Sequence, residues 1–252
     1  MSSDPALGVG YPDRDEWPGL RRRVEFPPHY LVLDFAVRLA YRVPGHIIEF
    51  GVFQGDSTRA LRHSVRRLEQ GQLLGPRKQI FACDSFQGLP EAYENRGVGD
   101  FASAPPSIRG VHIVEGYFED SLTPELAQRV GRVALASFDA DLYSSTQHAL
   151  RWVTPLLDNG SFLLFDEYLG EGGTGECRAH VEWMRETGLQ TVPVAEFLRE
   201  ASGQGGNRDH GSVPDRRVLF QVVGPTKPAK TRVVRYGDVL RRGRRLVQRR
   251  AR

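Results

Sequence analysis

The sequence predicts an α/β protein built on a doubly wound, mostly parallel, seven-stranded sheet, and three observations carry that prediction. Short apolar runs that read as buried strands alternate with segments of helical period from about Pro28 onward. Five such strands are followed by a closing pair, Leu189 to Val194 and Arg217 to Val223. Acids stand where strand runs end: Asp139 and Asp141 follow one strand, and Asp166 with Glu167 follows the next. In open α/β sheets ligands bind beyond the carboxyl ends of the strands, so parallel neighbours of this kind bring their carboxylates to a functional edge.

Taken in order, Tyr30 to Tyr41 reads as a buried helix halted before Pro44, and His46 to Phe50 as a strand ending at Gly51. Asp56-Ser57-Thr58 opens the next helix with capping side chains. Gln79 to Asp84 is the second strand, Ser85 to Gly110 a long loop, and Val111 to Val114 a short third strand. Thr123-Pro124-Glu125 starts a helix with a cap and a first-turn proline. Strands four and five, Val133 to Asp139 and Ser161 to Asp166, flank a helix from about Ser144 to Leu157, stopped by Asp158-Asn159-Gly160. A Gly-rich segment, Glu171 to Glu176, leads into a helix from Cys177 to Thr187, and a flexible insert from Ser202 to Pro214 separates the last two strands.

A chain of 252 residues suits one large domain with tails: an N-terminal arm or lid over 1–27, a catalytic domain over 28–224 and a basic tail over 225–252. That tail holds eleven Lys and Arg against Asp238, a net +10, which leaves −7 for the rest of a chain whose total is +3. Weak contact of the tail with anionic surfaces is the sharper reading of that block, and a solvated tail the plainer one. No aromatic-interleaved basic patch reads bases, so specific nucleic-acid binding is not expected. Neither an apolar run of spanning length nor the apolar core of a signal peptide is present, and a cytoplasmic location is expected. Cys83 and Cys177 lack the spacing of a zinc site and read as core or helix thiols.

The first strand passes into its helix through Glu49-Phe-Gly51-Val-Phe-Gln-Gly55-Asp-Ser57. Glycines there let backbone approach a ligand, and a helix N-terminus offers free N–H groups to an anionic part such as a carboxylate. Asp84 ends the second strand, at the position that takes ribose hydroxyls in nucleoside-binding folds. The loop lacks the third glycine of a dinucleotide fingerprint and the Gly-Lys-Ser/Thr of a P-loop. A nucleoside without a pyrophosphate fits better, which points to S-adenosylmethionine.

Several further strings accompany that loop: Asp84-Ser85-Phe-Gln-Gly-Leu-Pro90, Gly116-Tyr-Phe118 with Asp120-Ser-Leu122, Asp139-Ala-Asp141-Leu-Tyr-Ser-Ser-Thr146, Asp166-Glu167-Tyr168 and Cys177-Arg-Ala179. Together, over about Gly45 to Val223, the sequence resembles the macrocin O-methyltransferase (TylF-like) family of sugar O-methyltransferases. The resemblance implies a class I methyltransferase fold, S-adenosylmethionine as donor, and a divalent cation, usually Mg2+, on Asp139, Asp166 and Glu167. Read from the residues themselves, the candidate donor contacts are Glu49, Gly51, Gly55, Ser57, Asp84, Ser85, Phe118 and Asp120, and Asp139 is the candidate base. The family generally has Asp-Asp-Tyr where this chain has Asp166-Glu167-Tyr168; the extra methylene moves that oxygen and leaves the metal geometry open.

A sugar hydroxyl must lose its proton to attack a sulfonium methyl, and a cation and a carboxylate can assist that loss. The acceptor implied is a small-molecule glycoside or saccharide, contacted by the arm, the Ser85 to Gly110 loop and the Gly172 to Gly175 segment; a homo-oligomer is possible. A catechol-type methyltransferase, a glycosyltransferase using the Asp-x-Asp and a non-catalytic scaffold are the competing classes. Other residues read as structural: Asp141 as a helix cap, Trp152, Leu156 and Leu157 as core. Phe118 reads equally as an adenine partner or core filler, and His29 is the one histidine worth testing as a base.

Overall fold

A computed structural model describes residues 28–71, 77–93, 95–169, 175–194 and 216–224, with side chains from residue 31 onward. The arm over 1–27, residues 172–174 of the Gly-rich segment, the 202–214 insert, the 225–252 tail and the His29 side chain lie outside these residues. The elements are α1 (Pro28–Tyr41), β1 (His46–Phe50), α2 (Asp56–Gln70), β2 (Ile80–Asp84), β3 (His112–Glu115), α3 (Phe118–Ser121), α4 (Pro124–Val130), β4 (Val133–Phe138), α5 (Tyr143–Val153), β5 (Leu157–Phe165), α6 (Gly175–Thr187), β6 (Gln190–Pro193) and β7 (Val218–Val223). The seven strands run in the order β3-β2-β1-β4-β5-β7-β6. β1 to β5 are mutually parallel, and β7 is antiparallel to both β5 and β6.

Central strands buried on both faces explain the unbroken apolar runs: β4 is buried at all six positions. One face packs Phe50, Phe81, Phe138 and Phe165 against Phe118, Leu150 and Trp183 from α3, α5 and α6. The other packs Ile47, Ile80, Leu135 and Leu164 against Val32, Ala36, Leu61 and Val65 from α1 and α2. α2 shows how sequence period sets this packing: it buries Thr58, Ala60, Leu61, Ser64, Val65 and Leu68 and turns its arginines outward. At α4 the expected cap is present, Thr123 Oγ1 accepting from the Leu126 amide at 3.2 Å with Pro124 in the first turn.

Three departures from the sequence reading have identifiable causes. Asp158-Asn159-Gly160 is not a helix stop; it is the irregular start of β5. There the Asp158 amide donates to Ser161 Oγ, which donates to Val133 O, across a register shift between β4 and β5. A four-residue helix, α3, lies after β3 and is too short to show a period. Asp141 does not cap α5: the N-cap is Leu142, without a side-chain bond, and Asp141 sits at φ 57° before it.

Residues 85–110 form a pinned loop with an isolated Tyr93–Arg96 bridge. The Leu89 amide donates to Asp100 O and the Gly99 amide to Leu89 O, both at 2.9 Å, and Ser103 Oγ donates to Phe53 O at 2.9 Å. These bonds hold the loop over the N-terminus of α2.

Candidate active site

Strand register lines up a row of groups along the carboxyl edge of the parallel strands. Cys83 pairs Phe50, Phe50 pairs Phe138 and Phe138 pairs Phe165, so the next residues of each strand lie side by side: Asp84, Gly51, Asp139 and Asp166. Backbone bonds continue past the strands, from Gly51 N to Cys83 O, Asp139 N to Phe50 O and Asp166 N to Phe138 O, at 2.8–3.0 Å. β7 runs the opposite way and pairs Val218 with Phe165, so the residue before it, Arg217, falls opposite Asp166.

Gly51 sits at φ 91°, and a Cβ added there would lie 1.8 Å from Asp139 O. Any side chain would part β1 from β4 at the edge. Gly55, also left-handed at φ 84°, is the N-cap of α2 and supplies no side chain, which leaves first-turn amides of α2 to meet an anion. Asp84 ties this turn down: its Oδ2 accepts from the Val52 and Phe53 amides at 2.7 and 2.9 Å, and its Oδ1 from Phe86 at 2.7 Å. Three of about four lone-pair positions are thus used, leaving room for one ligand hydroxyl.

Three residues expected to touch the donor, Glu49, Phe118 and Ser85, make contacts within the protein. Glu49 is fully buried and accepts from Thr58 Oγ1, so it braces the β1–α2 connection from within. Burial, against the hydrogen bonds from Thr58 and Ser57, raises its pKa to about 7, and its second oxygen has no partner among the described residues. Phe118 is a core residue, edge-on to Phe50 at 5.7 Å, because Phe50 projects from β1 toward α3. Ser85 is buried and spent on its own turn, donating to Gly88 O and accepting from Gln87 N. Ser57 is half-buried beside Glu49, and Asp120 is exposed on α3.

On the other side of Gly51 the acids crowd together. Burial first, then Asp166, Asp141 and Glu49, push the Asp139 pKa well above the ordinary carboxylate range, while Arg217 pulls it down. The Arg217 guanidinium is bonded to Asp166, and Arg216 lies 4.0 Å from Glu167. Glu176, in the first turn of α6, is also buried; its Oε2 accepts from the Glu167 amide at 2.9 Å and its Oε1 has no partner among the described residues. Burial and the charges of Asp139, Asp166 and Asp141 raise its pKa strongly, against the Glu167 amide.

The expected cation site on Asp139, Asp166 and Glu167 is therefore not what these side chains form. No group of three or more His, Cys, Asp or Glu is gathered to hold a metal among the described residues. Asp166 already faces a cation, the Arg217 guanidinium, and as arranged the residues do not fit a divalent ion. The donor set is of the hard-oxygen kind magnesium takes, but it is not convergent.

Glu176 and Arg217 were not singled out from the sequence. Glu176 lies inside a Gly-rich segment that reads as loop, although a glutamate just ahead of an apolar helix marks a helix start. Arg217 precedes a strand, and reading acids at strand ends overlooks what an antiparallel strand brings to the same edge.

The fold is that of a class I methyltransferase. Residues 48–168 match the family described as methyltransferase domain. The chain is an S-adenosylmethionine-dependent O-methyltransferase, and its relatives bear out the resemblance drawn from its motifs. One, the 8-demethyl-8-(2,3-dimethoxy-alpha-L-rhamnosyl)-tetracenomycin-C 4'-O-methyltransferase of Streptomyces olivaceus, is 28% identical over 220 residues, covering 75% of this chain and 79% of the relative. The demethyldecarbamoylnovobiocin O-methyltransferase of Streptomyces niveus is 25% identical over 149 residues, 50% of this chain and 54% of that one. Among solved structures, the O-methyltransferase NovP shares the fold with a TM-score of 0.56 at 20% identity, covering 78% of this chain and 80% of NovP. The calicheamicin methyltransferase CalS11 gives 0.54 at 24%, over 77% and 78%. A glycosyltransferase or a scaffold has no support beside these matches. No helix among the described residues is long and apolar enough to cross a membrane.

Proposed function

We propose that this enzyme methylates a hydroxyl of a glycosylated small molecule, with Asp139 as the base that takes the hydroxyl proton. The observation that carries this reading is the place of Asp139: one position along the sheet edge from Gly51, with its carboxyl held well above the usual range. A base whose pKa approaches the working pH holds an abstracted proton better than an ordinary carboxylate. The glycoside acceptor is supported by the two relatives, whose names specify a rhamnosyl-tetracenomycin and demethyldecarbamoylnovobiocin.

Bound S-adenosylmethionine supplies a methyl group on a sulfonium, and transfer to oxygen forms the C–O bond as the C–S bond breaks and leaves a neutral thioether. Around it, the turn from Gly51 to Gly55 lets backbone approach, the first-turn amides of α2 near Ser57 meet the carboxylate, and the free lone pair of Asp84 accepts a ribose hydroxyl. Asp120 stands on the nucleoside side. Glu49 and Ser85 act through the turns they brace, and Phe118 through the core. Asp139 orients the acceptor hydroxyl, removes its proton and passes it to water; Arg217 offsets the negative charge of Asp166 beside Asp139. No step is assigned to a divalent ion. Residues 28–224 form the catalytic unit in this reading, with the acceptor also approached from the 85–110 loop.

The test is a methyl-transfer assay with isotopically labelled donor against deoxysugar glycosides and catechols. Transfer to a glycoside that falls at least about a hundredfold in Asp139→Asn supports the reading. Transfer to catechols and to no glycoside would replace the acceptor class.

A further inference from the structure

On the flank of α2, away from the acid row, a cavity of about 690 Å³ is lined by Arg59, Arg62, His63, Arg66, Arg77 and Arg109. A second, of about 470 Å³, shares Arg62, Arg77 and Gly110 with it and continues along the β3 edge to His112. The two form one groove between α2 and the edge strand β3.

Its charge is poorly compensated. Arg59 meets Asp56 at 3.2 Å and Arg62 meets Glu69 at 3.6 Å. Arg66, Arg77 and Arg109 are exposed and have no ion-pair partner among the described residues. The walls offer nothing more: no acid occurs from Gln70 to Cys83 or from Phe101 to Val114. Five guanidinium groups are thus brought together in a body whose charge, without the 225–252 tail, is −7. Mutual repulsion makes such a cluster unfavourable when empty, and planar N–H forks make arginine the side chain suited to phosphate oxygens.

We infer that this groove binds an anion carrying two or more phosphate groups, at a site separate from the methyl-transfer crevice. The spread of the arginines sets the ligand's size. Arg59, Arg62 and Arg66 extend over about 10 Å of α2, with Arg77 and Arg109 facing them, so a single phosphate engages only part of the set. The combined cavity accommodates a diphosphate with an organic substituent. Hard, non-convergent acids at the sheet edge would repel the same ligand, which keeps the two sites distinct in what they admit. The groove starts one turn from Gly55, where Ile108 already packs: a Cβ on Gly55 would be 3.0 Å from Ile108 Cδ1. An anion drawn between Arg66 and Arg109 therefore bears on the loop beside the donor turn.

The experiment is calorimetric titration of the full chain at low ionic strength with inorganic pyrophosphate and with a nucleoside diphosphate. Two variants separate groove from tail: Arg66→Ala, Arg77→Ala and Arg109→Ala combined, and Arg244→Ala, Arg245→Ala and Arg249→Ala combined. The expected result is saturable one-site binding that falls at least about tenfold in the groove variant and stays within about twofold in the tail variant, with melting temperatures that hold or rise. Tighter binding of the nucleoside diphosphate assigns the phosphates to a nucleotide, and equal binding assigns them to the free diphosphate. Absence of saturable binding, full retention in the groove variant, or loss in the tail variant alone overturns the proposal.

Discussion

The Gly51 backbone packs against the backbone oxygen of Asp139 so closely that a Cβ on Gly51 would lie 1.8 Å from it. That contact joins the donor turn to the proposed base, and the geometry of each depends on the other.

Gly51→Ala should therefore be damaging out of proportion to one methyl group. It meets both the collision and a φ of 91°, and the expected cost is about 2–4 kcal/mol of stability with loss of donor binding. Urea denaturation and S-adenosylhomocysteine titration check this; a variant with wild-type values for both would show that the contact is relaxed in solution.

Glu49 contributes a distinct pH signature. Its folded pKa of about 7 lies above the ordinary 4.5 of a glutamate, so folding favours the protonated form. That contribution is present below pH 4.5 and is lost as pH rises toward 7 and through it. Glu49→Gln, which cannot ionise, should become more stable relative to wild type across that window, by on the order of 3 kcal/mol. Denaturation curves at pH 5 and pH 8 measure the change, and a difference between wild type and variant that does not move with pH would refute it.

How much of this was legible beforehand follows from what period and spacing encode. The sheet was readable because β1, β2, β4 and β5 are buried runs bounded by glycines and caps, and the row Asp84, Gly51, Asp139, Asp166 followed from parallel order. Contacts decided by facing direction were not readable. Glu49 points inward to Thr58, Phe118 packs on Phe50, and Arg217 reaches Asp166 from an antiparallel strand. Asp141 looked like a cap because acids precede helices often, but its left-handed backbone takes it out of the cap position.

Arg217→Gln removes the cation that is paired with Asp166. Arg217 lowers the Asp139 pKa, so its removal should raise that pKa further and move the acidic limb of the kcat/KM profile to higher pH. An unmoved limb would mean that Asp139 does not govern that limb.

Donor binding should not depend on divalent ions. The Gly51 to Ser57 turn and Asp84 lie on the opposite side of Asp139 from Asp166, which Arg217 answers. A chelator should leave the dissociation constant of S-adenosylhomocysteine within about twofold. A large loss restored by magnesium would place a cation on the donor side.

The most direct test of the account combines binding and transfer in Asp139→Asn. With labelled donor and an accepted glycoside, S-adenosylhomocysteine should bind as in wild type while single-turnover methyl transfer falls by about 10²–10⁴-fold. The melting temperature should hold or rise as a like charge leaves the acid row. Transfer at the wild-type rate with unchanged donor affinity would contradict the assignment of Asp139 as the base.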